Sequence, residues 1–191
     1  MNRIDVLELV AGLKAIPDEK FVCQNVYEHL GANPVAFDSV GKYLHWSDKF
    51  YTRNLIYKDE RFEMMAICWE VGQESRVHDH SEQRCWMTVP YGQLKGQNFA
   101  VESIDEAAGH CKLSETDSFI LSESVCAKVE LEEPIHQVLN LAEWNQRAVS
   151  IHIYSRPYNS CISYCRDTNT FKEVKLFYTS IDGVLCDGIE L

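Results

Sequence analysis

The sequence predicts a mainly β protein, a barrel or sandwich of short strands with helices laid against it. From about Tyr43 the chain breaks into short runs rich in β-branched and aromatic residues, separated by turn residues at fairly regular spacing. Ahead of them lie two segments whose apolar residues recur at helical spacing, so helices precede the strands rather than alternate with them.

Composition bounds the class. A chain of 191 residues, 46% hydrophobic and 25% charged, is most simply one domain with a full core. The expected organisation is a single domain over 1–191: a helical segment 1–42, a β-barrel 43–180 and a tail 181–191. Lys and Arg number 18 against 29 Asp and Glu, a net charge of −11. That excludes nucleic acid as the expected partner, because phosphate backbones need a basic footprint. No run approaches the ~20 apolar residues of a membrane helix, so no membrane association is expected. The N-terminus has Asp5 and Glu8 inside its apolar stretch and lacks a basic-then-apolar leader pattern. The eight cysteines are scattered without a CxxC pair. Reduced thiols in a cytoplasmic, monomeric protein are therefore the expectation.

The elements follow in order. Ile4, Leu7, Val10 (or Ala11) and Leu13 make one helical stripe; Phe21, Val22, Val26 and Leu30 make a second after Pro17-Asp18. Strands are predicted at TRNLIY, FEMMAICWEV, CWMTVPY, GQLKGQNFAV, SFILSE, AVSIHIYS and FKEVKLFYT, with turns at Tyr91-Gly92 and Asp167-Thr168-Asn169. Pro90 lacks an N–H for a central ladder and predicts an edge or a bulge.

His78 and His80 stand one residue apart, so on a strand both imidazoles point to one face. His136 sits in PIHQVLN. His152 sits in AVSIHIYS, where Val149, Ile151 and Ile153 alternate with Ser150, His152 and Tyr154. In a half-buried strand the polar side normally faces water; in a small barrel it can face an internal site. Singly, an HxH pair and an amphipathic strand are commonplace. Cys85 alone reads as a buried free cysteine or a further ligand.

The spacing of the set is more specific. Gly72-x5-His78-x-His80-x4-Cys85-x6-Gly92 resembles the first motif of the cupin barrels, with Cys85 at the usual glutamate. His136-x3-Asn140 resembles the end of the second, although Leu131 and Glu133 stand where that motif usually has Pro and Gly. Imidazoles suit Zn, Cu, Fe and Ni alike, so ligand type alone does not choose the metal. YTRNL (51–55), HDHxxxxC (78–85), HQVLN (136–140) and SIHIYS (150–155) together resemble the thiol dioxygenases, most closely the mammalian-type cysteine dioxygenases, over about Tyr51 to Tyr178.

That resemblance implies a jelly-roll cupin barrel in which His78, His80 and His136 bind Fe(2+). Arg53 would hold the substrate carboxylate with Tyr51 beside it. Cys85 would form a thioether with Tyr154, a protein-derived Cys-Tyr cross-link, and His152 would orient the phenol, with Ser150 on the same face. The implied reaction joins L-cysteine and O2 to give cysteine sulfinate. Cys161 falls where the family also has a cysteine at the site mouth. Two departures stand out. WMTVPYGQL replaces a more aliphatic run, and Ser155-Arg156-Pro157 replaces Ser-Pro-Pro. The family often has a cis peptide at that first proline; with Arg156 there a cis bond costs ~2.5–4 kcal/mol, so a different local backbone is expected. Arg156 also brings a second guanidinium towards the expected pocket. It keeps open another small thiol acid, such as 3-mercaptopropionate, although the enzymes for that acid usually have Gln at Arg53. A non-catalytic cupin that senses a metal or ligand is the further alternative.

Overall fold

A computed structural model describes residues 2–123, 125–129 and 135–188. Leu131 and Glu133 of the second motif, and residues 189–191 of the expected tail, lie outside them.

Helix α1 (Val6–Ala15) opens with a reciprocal cap: the Asp5 side chain accepts from the Leu7 N–H at 2.8 Å, and Glu8 accepts from the Asp5 N–H at 3.1 Å. It buries Val6, Leu9, Val10 and Leu13, while Leu7 is 55% exposed, so the stripe turns on Leu9 rather than Leu7. Helix α2 (Cys23–Ala32) buries Val26 and Leu30 as expected; Val22 is its exposed cap residue.

The strands are β1 (Thr52–Lys58), β2 (Phe62–Trp69), β3 (Val77–His78), β4 (Cys85–Tyr91), β5 (Gln93–Asp105), β6 (His110–Ser122), β7 (Cys126–Val129), β8 (His136–Leu139), β9 (Ala148–Ser155), β10 (Ser160–Cys165), β11 (Thr170–Lys175), β12 (Ser180–Ile181) and β13 (Val184–Leu185). One sheet runs β13-β12-β1-β2-β9-β4-β7, and the other closes on itself as β10-β11-β6-β5-β8-β3. The expected tail contains structure: Ile181 of β12 lies parallel beside Leu55 of β1, and β13 pairs antiparallel with β12, next to the Ser180 hydroxyl that donates to Asn54 Oδ1 at 2.8 Å inside the core.

Strand periodicity explains the layering. On β2, Phe62, Met64, Ala66 and Cys68 pack with Leu9, Leu13, Val26 and Leu30 of the helices, while Met65, Ile67 and Trp69 face the barrel. On β9, Val149, Ile151 and Ile153 join the helix layer. Ser150, His152 and Tyr154 are thereby turned into the barrel interior, where they are also buried. Register slips between Thr88 and Tyr91 where β4 pairs β9, the bulge that Pro90 predicts. Gly92 then turns the chain at φ 74, where a Cβ would collide with the Arg147 carbonyl oxygen. Among the described residues no helix is long and apolar enough to cross a membrane.

Candidate metal and substrate site

Two short strands bring the histidines together. β3 ends at His78, directly opposite His136 at the start of β8. His80 follows β3 on a tight turn, with Ser81 and Glu82 at φ 49 and 63. Asp79 Oδ1 holds that turn by accepting from the Ser81 N–H at 3.2 Å and from the Ile162 N–H of β10 at 3.0 Å. The imidazole centroids lie 5.2 Å (His78–His80), 4.8 Å (His78–His136) and 4.7 Å (His80–His136) apart. Donor atoms of the three fall within 4.8 Å of one another.

Their chemistry fits a metal. The His78 Nδ1 donates to the Arg76 carbonyl at 2.8 Å, which leaves Nε2 as the free lone pair. Both nitrogens of His80 and Nδ1 of His136 are buried without a protein partner, a costly arrangement unless something else binds there. Burial pushes all three imidazoles below their ordinary pKa; for His80 and His136 the neighbouring imidazoles push further the same way. They are neutral donors at neutral pH, as metal ligation requires.

Beside them opens a cavity of about 540 Å³ lined by Tyr51, Arg53, His78, His152, Tyr154 and Cys161, among others. Arg53 enters from β1 with its Nε buried and unpartnered. Tyr51 stacks on Trp69, centroids 4.6 Å apart. Cys85 on β4 faces Tyr154 on β9 as a direct cross-strand pair. Cys85 Sγ and the Tyr154 hydroxyl lie 3.9 and 3.2 Å from one atom, His152 Nδ1.

A polar chain runs behind the phenol. The Trp69 indole N–H donates to Ser150 Oγ at 2.9 Å, and Ser150 Oγ lies 2.9 Å from His152 Nε2. Indole can only donate, so the serine proton is available to His152 Nε2; in that tautomer Nδ1–H donates to Tyr154. Burial keeps His152 neutral, with its pKa lowered to about 3. Burial also drives the Tyr154 phenol and the Cys85 thiol upward, so both carry their protons.

A profile of the family described as cysteine dioxygenase type I matches residues 8–167. The chain belongs to that family. It is 30% identical over 158 residues to "Cysteine dioxygenase type 1" of Danio rerio, covering 82% of this chain and 75% of that protein. The Bos taurus relative of the same name is 29% identical over 178 residues, 93% of this chain and 84% of that one. Among solved structures, an RmlC-like cupin from Desulfovibrio desulfuricans covers 60% of this chain at TM-score 0.43 and 15% identity. The protein is an enzyme of the cysteine dioxygenase family on a mainly β, cupin-type fold.

Within the chain the expected site residues separate into two groups. The three histidines, Tyr51, Arg53, Cys85, Ser150, His152, Tyr154 and Cys161 converge on one cavity or directly behind its wall. Burial pushes the Cys161 thiol up to about 11. Arg156 does not join them. It is exposed, takes φ 65, and donates its N–H to the Arg61 carbonyl at 2.7 Å. No cis peptide occurs among the described residues.

Three participants escaped sequence reasoning. Tyr158 lines the cavity, and its ring meets Tyr154 edge-on at 5.2 Å. Trp69 anchors the polar chain. Glu63 is fully buried, faces Tyr154 across β2 and β9, and accepts from the Tyr178 hydroxyl. For Glu63 a signal was present: it occupies the barrel-facing phase of β2, two residues before Met65, inside an otherwise apolar run.

Proposed function

We propose that the protein is an Fe(II)-dependent dioxygenase that adds both atoms of O2 to the thiol sulfur of L-cysteine, giving cysteine sulfinate. The observation that carries this reading is a cluster of three neutral imidazoles at the edge of a cavity that His78, the Arg53 guanidinium and Tyr154 line, with Cys85 paired to Tyr154 behind its wall. His78, His80 and His136 would hold the iron. Bound there, iron supplies the Lewis acidity that favours thiolate over thiol and the redox capacity for O2 chemistry.

The chain's residues do the rest. Three neutral ligands and the Arg53 guanidinium leave the cavity positive, which selects an anionic thiol. Arg53 can pair the substrate carboxylate through two charge-assisted hydrogen bonds. Tyr51, held flat against Trp69, closes one side of that anchor. Tyr154 receives the His152 Nδ1–H on its phenol oxygen and keeps its own proton for the substrate. A thioether between Cys85 Sγ and the ring carbon beside that hydroxyl would hold the phenol at its angle; its formation removes two hydrogens, with O2 as oxidant. Composition and cysteines scattered without a CxxC pair support a cytoplasmic location, and a monomer is expected.

Anaerobic loading with Fe(II) followed by O2 uptake with L-cysteine, 3-mercaptopropionate, cysteamine and homocysteine tests this. The expected outcome is uptake with L-cysteine fastest, one O2 per thiol, and a product heavier by two oxygen atoms. Faster uptake with 3-mercaptopropionate would keep the site and reassign its substrate. Absence of uptake with every thiol despite bound iron would reject the dioxygenase and favour a sensing cupin.

A further inference from the structure

We propose that Tyr158 is a specificity-determining residue that donates its hydroxyl to the carboxylate of the bound thiol, beside Arg53. This rests on the thiol dioxygenase reading and deepens it by assigning a hydrogen bond that selects for a carboxylate-bearing substrate.

The geometry behind it is local. After β9 the chain turns through Arg156 at φ 65 and Pro157, which brings Tyr158 back over the cavity that Arg53, Tyr51 and His78 line. The Tyr158 ring stands edge-on to Tyr154, centroids 5.2 Å apart and planes at 81°, and edge-on to His80 at 6.3 Å and 69°. These contacts fix the ring without using its hydroxyl, which has no hydrogen-bond partner among the described residues. A phenol carries its proton at neutral pH, so the group is available as a donor. Tyr158 and the Arg53 guanidinium line the same cavity, so one bound carboxylate can meet both.

Hydrogen-bond capacity says why a second donor is wanted. An ionised carboxylate offers about four acceptor sites, and a guanidinium fork fills two. Inside a cavity the remainder go unsatisfied unless other donors reach them. Tyr51 and Tyr158 line the cavity with Arg53 and carry hydroxyls for those sites, beside the Tyr154 proton already held for the substrate. A thiol without a carboxylate leaves the Arg53 guanidinium and the Tyr158 hydroxyl unpaired together, and that mismatch is the basis of discrimination.

Tyr158→Phe isolates the hydroxyl because the ring contacts survive. The measurement is anaerobic binding of L-cysteine and of cysteamine, which lacks the carboxylate, to Fe(II)-loaded wild type and variant by calorimetry, with thermal melts of both proteins. The expected result is L-cysteine binding weakened about 10- to 50-fold, the scale of one hydrogen bond to a charged group, with cysteamine binding and the melting temperature unchanged. Unchanged L-cysteine binding would overturn the assignment. Equal weakening of both thiols would overturn it too, by placing the hydroxyl at the metal end. A lowered melting temperature with equal loss of both would mark a structural residue. A wild type that binds neither thiol would instead reject the dioxygenase reading, and this inference with it; the wild-type arm alone tells those two failures apart.

Discussion

At the scale of single residues, Cys85 and Tyr154 define the least ordinary chemistry in the fold. They are nearest neighbours across β4 and β9, both buried, and desolvation holds both in their protonated forms. A thiol so far from its anionic form is a poor spontaneous nucleophile. The thioether is therefore expected only after exposure to iron and O2, not on folding alone. Intact-mass analysis before and after aerobic turnover should show a species lighter by two hydrogens, and Cys85→Ser should never form it. In that variant the phenol keeps its His152 hydrogen bond and loses its covalent tether. Turnover should then fall by about 10- to 100-fold, the scale on which misplacing a catalytic group acts, with L-cysteine KM far less affected. A turnover number equal to wild type would show that the tether contributes nothing to positioning.

At the scale of elements, the site depends on a two-residue strand and a four-residue strand, β3 and β8, which are too short to hold histidines in place by themselves. Asn140, just after β8, supplies the anchor. It is 1% exposed, and its Nδ2 faces the backbone carbonyls of Trp69, Glu70 and Gln146 at 3.4, 3.0 and 2.9 Å, tying β8 to the end of β2 and to the lead-in of β9. Asn140→Asp would turn a donor into a buried acceptor facing three carbonyl oxygens. Denaturant melts should show a loss of about 2–4 kcal/mol, and iron affinity should fall with it because β8, which carries His136, ends at the residue before Asn140. A variant as stable as wild type would show that water satisfies those carbonyls equally well. The same elements mark where the sequence was legible. On β9 the alternation of Ser150, His152 and Tyr154 against valine and isoleucine announced an internal polar face, and Pro90 announced the bulge. β3, β8, β12 and β13 are shorter than the run from which a period can be read. The helical stripe of α1 slipped from Leu9 to Leu7 because both residues are leucine-like choices and only packing against β2 decides. Tyr158 lies in the turn after β9 and Trp69 reads as one more apolar residue of β2, so no pattern marks either as part of the site; only the fold sets them against Tyr154, His80, Tyr51 and Ser150.

At the scale of the whole molecule, two opposing effects govern the response to acid. The net charge of −11 means that protonation on the way to the sequence pI of about 5.0 relieves self-repulsion and favours the folded state. Against this stand three buried imidazoles, His80, His136 and His152, and the half-buried His78, each with its folded-state pKa pushed below the ordinary 6.5 by desolvation. Their contribution is fully present above about 6.5, where folded and unfolded chains are equally unprotonated, and is lost as the pH falls towards the folded values, because the unfolded chain then binds protons that the folded one refuses. Each such group gives a slope of up to about 1.4 kcal/mol per pH unit, and four act together. Surface repulsion is screened beyond about 8 Å at physiological ionic strength, whereas a desolvation cost is not. The histidines should win, so metal-free protein at 0.15–0.5 M salt (about the range where screening is strong) should lose melting temperature steadily from pH 6.5 to 5.5. Raising the salt should leave that slope intact or steepen it. Iron, bound only by the folded chain, should lift the whole curve by RT ln(1 + [L]/Kd), and His136→Ala should abolish the lift. A flat or rising melting temperature over that window would mean that the imidazoles take up protons inside the folded protein, and that the cavity is far more hydrated than its lining implies.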